Sequence, residues 1–574
     1  MMIKLFPRFL WPGVPLILAF ASGSQLLASA ASIDKESEVE SVFQKMESDA
    51  RTLRDELERA YSARCKTKTL EKCYKANFND CYSVFPNQQC LKADEFVIVT
   101  CGDGVSCNGK CVLSHLRGAI YLLYYISTQV MKNAALWDKT VSKVSYPGPL
   151  DEPSDSITET ICYSRLAEPF MADKYKAVEE YWGLYGVQPS QTYFGAHNGL
   201  FWSIPAFHQE VCGDYDPRRR PWFVAGSSGP KDVVLVLDVS GSMSDYGRMD
   251  IAKEAAITVI TTLTVADRFA VIPFSSDASL LEGHTSLIRA TVENRNQMVE
   301  AIKKLAPQGG TNFGNAFTNA FDALDETIRN EATSGCNIAI LFMTDGQISE
   351  GLEADEVISL VNKRSEQLEA NVSRKITIFT FSLGHQAHHH VTKTIACNIG
   401  GIWTLVAGTY VDLISAMSAY YKLFALGLGV GDNENFAAWV EPYEFYTRRG
   451  VMGTAVSVPV YDRSVTPPLF LGVVAVDCDM SAIEQVLGEE ATSSSMLQRF
   501  VARSTAFCPK IELSACELDA LRFISGGEDA TCEVCNRTDY AGIVPEVCPF
   551  QSDLPNDPWD NSDSKFCSMF SCLI

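Results

Sequence analysis

The 574-residue sequence has little that would suit it to a membrane interior or a nucleic acid. After the apolar run from Phe9 to Ala21, no stretch reaches the roughly 18 continuous apolar residues a bilayer span needs; the best, Gly118 to Ile126, is short and follows His115 and Arg117. No long basic segment offsets the charge balance, 48 Lys+Arg against 70 Asp+Glu for a net −22, which excludes nucleic acid and anionic membrane surfaces as partners. Histidine is scarce, at 8 residues, and no G-x-S-x-G elbow or nearby base accompanies the serine-rich loops, so a hydrolase is not expected and the chain reads as a non-enzyme. The cysteines do not recur as paired C-x-x-C units with interleaved histidines, which disfavours structural zinc.

Apolar residues at 47% and charged residues at 21% describe a globular chain, with about 150 residues per domain implying roughly three to four domains. Residues 1–30 read as a secretory signal peptide: a short basic start, the apolar run, and Ala28-Ser29-Ala30 as a small-residue cleavage site. The expected location is therefore secreted or on the extracellular face of the cell, with any membrane association indirect, through a partner. Nineteen cysteines fit that compartment as disulfides, and the odd number leaves one thiol over. Cys532-x-x-Cys535 reads as an ordinary disulfide participant rather than a redox pair, and Asn371-Val372-Ser373 and Asn536-Arg537-Thr538 are candidate glycosylation sites.

Along the chain, residues 31–64 predict an exposed amphipathic helix with a short coiled coil as an option, Val39, Val42, Met46, Leu53 and Leu57 forming its stripe. Residues 65–111 carry seven cysteines, and a second helix is expected from Leu113 to about Thr140. From Asp232, short apolar runs alternate with helical stretches. Strands are expected at Val233 to Asp238, Arg268 to Phe274, Asn337 to Thr344, Lys375 to Leu383 and Gly401 to Leu405, with a closing helix from Val411 to Phe424. Such alternation means a parallel sheet covered by helices on both faces, with ligands outside the carboxyl ends of its strands. Beyond 425 the pattern becomes antiparallel, at Val451 to Tyr461 and Leu469 to Asp477, and residues 508–574 form a second cysteine-rich region. Only Cys336 and Cys397 fall within 231–425, so that region is expected to stand on its own hydrophobic sheet.

The first parallel strand ends in Asp238-Val239-Ser240-Gly241-Ser242, which puts one carboxylate and two hydroxyls on a tight loop at the ligand edge. Thr311, after Gly309-Gly310, and Asp345, after the strand ending at Thr344, belong to the same edge. Hard oxygen donors of this kind suit Mg²⁺, Ca²⁺ or Mn²⁺. The alternative is that Asp238 and the serines only cap the following helix. The D-x-S-x-S run with a later Thr and T-D-G resembles the von Willebrand factor A domain and its metal-ion-dependent adhesion site. That resemblance implies a doubly wound, Rossmann-like α/β domain over 231–425. It also implies that Asp238, Ser240, Ser242, Thr311 and Asp345 hold a divalent cation that grips an acidic residue of a protein partner. The cluster His385, His388, His389 and His390 reads as a solvated loop, with a transition-metal or acid-sensing role as the alternative.

On either side stand Tyr215-Asp216-Pro217-Arg218-Arg219-Arg220-Pro221-Trp222-Phe223 and Leu471-Gly472-Val473-Val474-Ala475-Val476-Asp477. These look like two parts, 112–230 and 426–507, of an α+β Cache-type module into which the A domain is inserted, with disulfide-rich regions at both ends of the chain. The whole resembles the alpha-2-delta auxiliary subunits of voltage-gated calcium channels, which implies a channel pore subunit as a partner. In Cache modules that bind free amino acids, the matching positions are Tyr215, Arg220, Trp222, Tyr446 and Asp477. A guanidinium would hold the ligand carboxylate, with Asp and Tyr oxygens accepting from its ammonium. Gly226 departs from that pattern, which has Ala there. An internal Arg220–Asp477 ion pair is the alternative role for those two residues.

Overall fold

The computed structural model describes residues 18–63, 96–97, 112–113, 143–145, 160, 164, 191–204, 215–372, 374–384, 387–406, 419–430, 433–445, 450–464, 468–487, 494–506, 513–526 and 528–535. The first cysteine cluster, the expected helix after Leu113, Tyr446, His385, Asn536 and the last three cysteines lie outside them. Among the described residues no helix is long and apolar enough to cross a membrane.

The strand Lys231–Asp238 is buried along its whole length and sits in the middle of a six-stranded sheet. Parallel neighbours flank it, Arg268–Phe274 on one side and Asn337–Thr344 on the other. Ile376–Leu383 and Ile402–Val406 extend the sheet beyond Asn337–Thr344, and the short Ile288–Arg289 closes the other edge antiparallel. An unbroken apolar run works here because both faces are covered. Val233, Leu235 and Leu237 enter one core with the helix Arg248–Thr262, while Val234 and Val236 enter another with the helices Phe313–Arg329 and Ala354–Val372. The chain leaves Lys231–Asp238 toward one side and returns on the other, so the carboxyl ends of Lys231–Asp238 and Asn337–Thr344 mark the reversal point where open α/β sheets place ligands. The last covering helix is described from Ala419 to Val430, ending six residues past its expected end at Phe424.

The second sheet is antiparallel and joins sequence from both sides of the first. Met452–Asp462 pairs with Leu469–Asp479, which pairs with Thr192–Ala196, then Phe201–Ile204 and Lys143–Ser145. The ladder Val476 to Thr192 through Gly472 to Ala196 is formed between segments that flank the α/β region, so that region is an insertion in one continuous sheet. The helix Pro221–Ser228 joins the two. Gly226 explains the departure from alanine: a Cβ there would lie 2.6 Å from Val473 Cγ1 and 2.8 Å from Ser457 Oγ, so the helix packs against the sheet more closely than a methyl permits.

Two expectations are corrected. The N-terminal helix, Leu18–Ala63, is not an exposed or coiled-coil element. Its stripe Val39, Val42, Phe43, Met46, Ala50, Leu53 and Leu57 is buried against the outer face of the second sheet, with Phe43 4.6 Å from the Trp439 ring. Arg503 fixes it with ion pairs to Glu40 at 2.6 Å and Glu47 at 2.9 Å. Nor does the α/β domain stand alone. Cys397 is bonded to Cys532, and Cys336 is disulfide-bonded as well. Cys532 and Cys535 do not pair with each other, since Cys535 is bonded to Cys516.

Candidate functional site

At the reversal point the two strand ends bring Asp238 and Asp345 together with Ser240, Ser242 and Thr311. Asp238 is fully buried: its Oδ1 accepts from the Ser240 backbone N–H at 2.8 Å and its Oδ2 from the Thr344 hydroxyl at 2.5 Å. It does not cap the following helix, whose N-terminus at Gly247 has no side-chain cap. Burial pushes its carboxyl up to about 6, against the hydrogen bonds from Ser240 and Thr344 and in concert with the charge of Asp345. The hydroxyls of Ser240 and Ser242 lie 3.1 Å apart.

The neighbouring loops are held by backbone bonds. Gly241 N–H donates to the Gly309 carbonyl at 3.0 Å, and Thr311 N–H donates to the Ser349 hydroxyl at 2.8 Å. The Thr311 carbonyl accepts from Ser349 and Glu350, at 3.1 and 3.2 Å. Gly346, at φ +86°, takes a conformation that disfavours side chains, and a Cβ there would strike the His388 carbonyl. That close approach lets the His388 N–H donate to the Asp345 carbonyl at 2.6 Å.

The Asp345 side chain is split in its roles. Oδ2 accepts from the Arg248 guanidinium at 2.8 Å, while Oδ1 is buried with no hydrogen-bond partner. A buried carboxylate oxygen left unsatisfied is costly, and a cation is the natural way to satisfy it. The donor set of two carboxylates and three hydroxyls fits a hard divalent ion such as Mg²⁺, Ca²⁺ or Mn²⁺. Such an ion would be held by Asp345 Oδ1 and the hydroxyls of Ser240, Ser242 and Thr311, with Asp238 supplying charge behind them. Thr344 and Arg248 were not singled out from the sequence. Thr344 is signalled by its place before Asp345, and Arg248 by standing less than two turns beyond Ser242. The histidines at 388–390 do not form a cluster: His388 and His390 are exposed, and the His389 ring lies edge-on to Trp403 at 5.8 Å. Among the described residues no three His, Cys, Asp or Glu side chains gather as a metal group. Asn371 is exposed near the end of its helix.

A second, small concavity of about 20 Å³ opens at the junction of the antiparallel sheet and the helix Pro221–Ser228. Tyr215, Arg220, Trp222 and Asp477 all line it, together with Tyr193 and Tyr443. Trp222 packs edge-on against Tyr193 at 4.7 Å, and the Arg220 guanidinium lies 5.6 Å over the Tyr215 ring. Asp477 is held by the Gln191 N–H at 2.5 Å, and the Tyr193 and Tyr443 hydroxyls are 3.3 Å apart. Burial raises both tyrosine hydroxyls well above their ordinary values, each also feeling Asp477. Tyr443 also lines the cavity, while the expected Tyr446 lies outside the described residues.

Residues 233–347 match the family model of the von Willebrand factor type A domain. The mouse voltage-dependent calcium channel subunit alpha-2/delta-2 is 28% identical over 280 residues, covering 47% of this chain and 23% of the relative. The rat subunit alpha-2/delta-3 is 28% identical over 299 residues, covering 50% of this chain and 26% of the relative. The chain thus spans about a quarter of the length of the curated relatives it matches. Among solved structures, the von Willebrand factor type A protein from Catenulispora acidiphila aligns with 44% of this chain and 57% of its own, at 19% identity and a TM-score of 0.28.

Proposed function

We propose that this protein is a secreted or cell-surface binding protein, not an enzyme, whose inserted A domain uses a divalent cation to engage an acidic residue of a protein partner. The observation that carries the reading is the buried, unsatisfied Asp345 Oδ1 at the sheet edge whose loops also carry Ser240, Ser242 and Thr311. Two carboxylates balance the charge of a divalent ion, and neutral hydroxyls leave it electron-poor enough to hold a carboxylate from outside. Similarity to alpha-2/delta subunits supports an auxiliary role beside a calcium-channel pore subunit. The test is isothermal titration of Mg²⁺, Ca²⁺ and Mn²⁺ into the full chain, followed by pull-down of channel pore subunit in Mg²⁺ or EDTA. The reading expects saturable metal binding and capture, both lost in Asp238→Ala; capture indifferent to EDTA and to that substitution overturns it.

A second reading, an extracellular amino-acid sensor, is favoured by one observation: Tyr215, Arg220, Trp222 and Asp477 meet around a single cavity. Arg220 would take the ligand carboxylate in a two-pronged grip and Asp477 its ammonium, with the aromatic walls setting side-chain size. Calorimetry against the free amino acids should show binding that Arg220→Ala removes; absence of heat across the panel would remove this reading and leave the first intact.

A further inference from the structure

The rim of the metal-site face carries features that the cation alone does not require. Five large hydrophobic side chains are exposed among the described residues, and two of them, Tyr246 at 68% and Leu352 at 37%, stand on the loops that supply the site's oxygens. We infer that these two side chains select the partner: a segment with a single Asp or Glu flanked by apolar residues. The inference rests on the metal-dependent reading above and specifies its ligand.

Tyr246 is held where a tyrosine is disfavoured. Its backbone sits at φ +53°, in the left-handed region, a cost of about 1 kcal/mol that structures retain mostly at ligand clamps and switches. Its ring is steadied from one side by the Arg248 guanidinium at 5.2 Å. Arg248 is itself bonded to Asp345 Oδ2 at 2.8 Å and to the Ser242 carbonyl at 3.3 Å. The aromatic ring is thereby tied to two of the proposed metal-site residues, as a rigid anchor rather than a swinging side chain. On the other flank, the Leu352 side chain lies over Gly314, where a Cβ would be 3.0 Å from its Cδ1, in the first turn of the helix that follows Thr311.

Charge narrows the choice further. Once the two carboxylates balance a divalent ion, Arg248 leaves the centre of the site net positive, so a carboxylate is preferred to a neutral oxygen. Asp245 and Glu350, both exposed on the same loops, oppose additional acids at the rim. A lone acid between apolar neighbours satisfies centre and rim together, whereas a run of acids does not.

The probe is an array of peptides centred on Asp or Glu, flanked by Leu and Phe, by Ser, or by Glu, with Asn- and Gln-centred controls. The full chain is applied in Mg²⁺ and in EDTA. Acid-centred peptides with apolar flanks should bind best in Mg²⁺, and both EDTA and Asp238→Ala should abolish their binding. Tyr246→Ser and Leu352→Ser should each weaken them roughly tenfold while leaving serine-flanked peptides unchanged. Tyr246→Gly guards against misfolding, because it relieves the left-handed backbone; it should keep or raise the melting temperature and still lose the preference. Equal binding of apolar- and serine-flanked peptides, a preference that survives Tyr246→Gly and Leu352→Ser, or no acid-centred binding at all overturns the inference. If metal-dependent binding persists without flank preference, only this inference falls; if binding ignores EDTA, the metal reading falls with it.

Discussion

Arg248 is the residue whose charge most shapes the site. It lends one positive charge to Asp345, and that charge repels an incoming cation as well as attracting an anionic ligand. Arg248→Met, which keeps most of the side chain's bulk, should therefore tighten Mg²⁺ binding by roughly tenfold or more, since even a screened charge at this range is worth at least about 1.4 kcal/mol. Titration calorimetry decides it, and unchanged Mg²⁺ affinity would mean that Arg248 is structural only. His197 offers a separate pH prediction. Burial pushes it down to about 3, and it faces Lys422 and Arg218, with Asp216 already engaged by Arg218 at 2.6 Å. An unfolded chain takes up a proton at histidine below about 6.5, which the folded chain refuses until near 3, so stability is lost as pH falls through that window. Lys422, lowered to about 8 by burial and Arg218, stays protonated throughout it. Between pH 7 and 5 the melting temperature should fall less steeply in His197→Asn than in the parent.

Elements were legible wherever burial on two faces forced a continuous apolar run. Val233 to Leu237 and Ile338 to Met343 could be read as parallel strands because nothing but a covered sheet tolerates such sequences. Asp238 and Asp345 followed, because strand ends fix which residues share an edge. Partnership at a distance was not legible. The stripe from Val39 to Leu57 has the spacing of a buried helix face, but spacing does not say that its cover is a sheet formed some four hundred residues later. Tyr443 was not legible as a cavity residue either, since nothing in its local sequence sets it apart until the sheet and the helix Pro221–Ser228 bring it to the cavity wall. Cysteine pairing was equally hidden. The Cys397–Cys532 bond ties the helix His389–Asn398 to the C-terminal segment, where Arg522 donates twice to the Gly401 carbonyl, at 3.0 and 2.8 Å, beside the edge strand Ile402–Val406. Replacing both cysteines by serine should cost about 2–4 kcal/mol and open this edge first. Limited proteolysis would then cut between 389 and 406 before any other described segment; an unchanged cleavage pattern would show that Arg522 and the packing suffice.

At the scale of the molecule, the inserted domain and the sheet that holds it share one core: Trp222, Phe223 and Tyr461 belong to the same buried cluster as Val233, Leu235 and Leu237. A polar joint reinforces it at the end of the parallel sheet away from the proposed metal site. Glu441, between the short strands Ala438–Trp439 and Tyr443–Glu444, accepts from the Val265 N–H at 3.0 Å and from the Arg295 guanidinium of the inserted domain. Burial raises the Glu441 carboxyl, and Arg295 opposes that rise, so the pair is held largely out of water. Removing one partner of such a pair leaves a buried charge uncompensated, typically at a cost of 3–5 kcal/mol. Here the loss falls on the joint rather than within either unit. Glu441→Ala should therefore do more than lower the melting temperature. With one core and this joint intact, calorimetry should show the two units melting together. In the variant, a second, earlier transition should separate, and Mg²⁺ should move only the transition of the inserted domain. Arg295→Met in the same background removes the stranded charge and should recover part of the lost stability. If Glu441→Ala lowers one undivided transition, the shared core alone couples the units and the ion pair is incidental to their union.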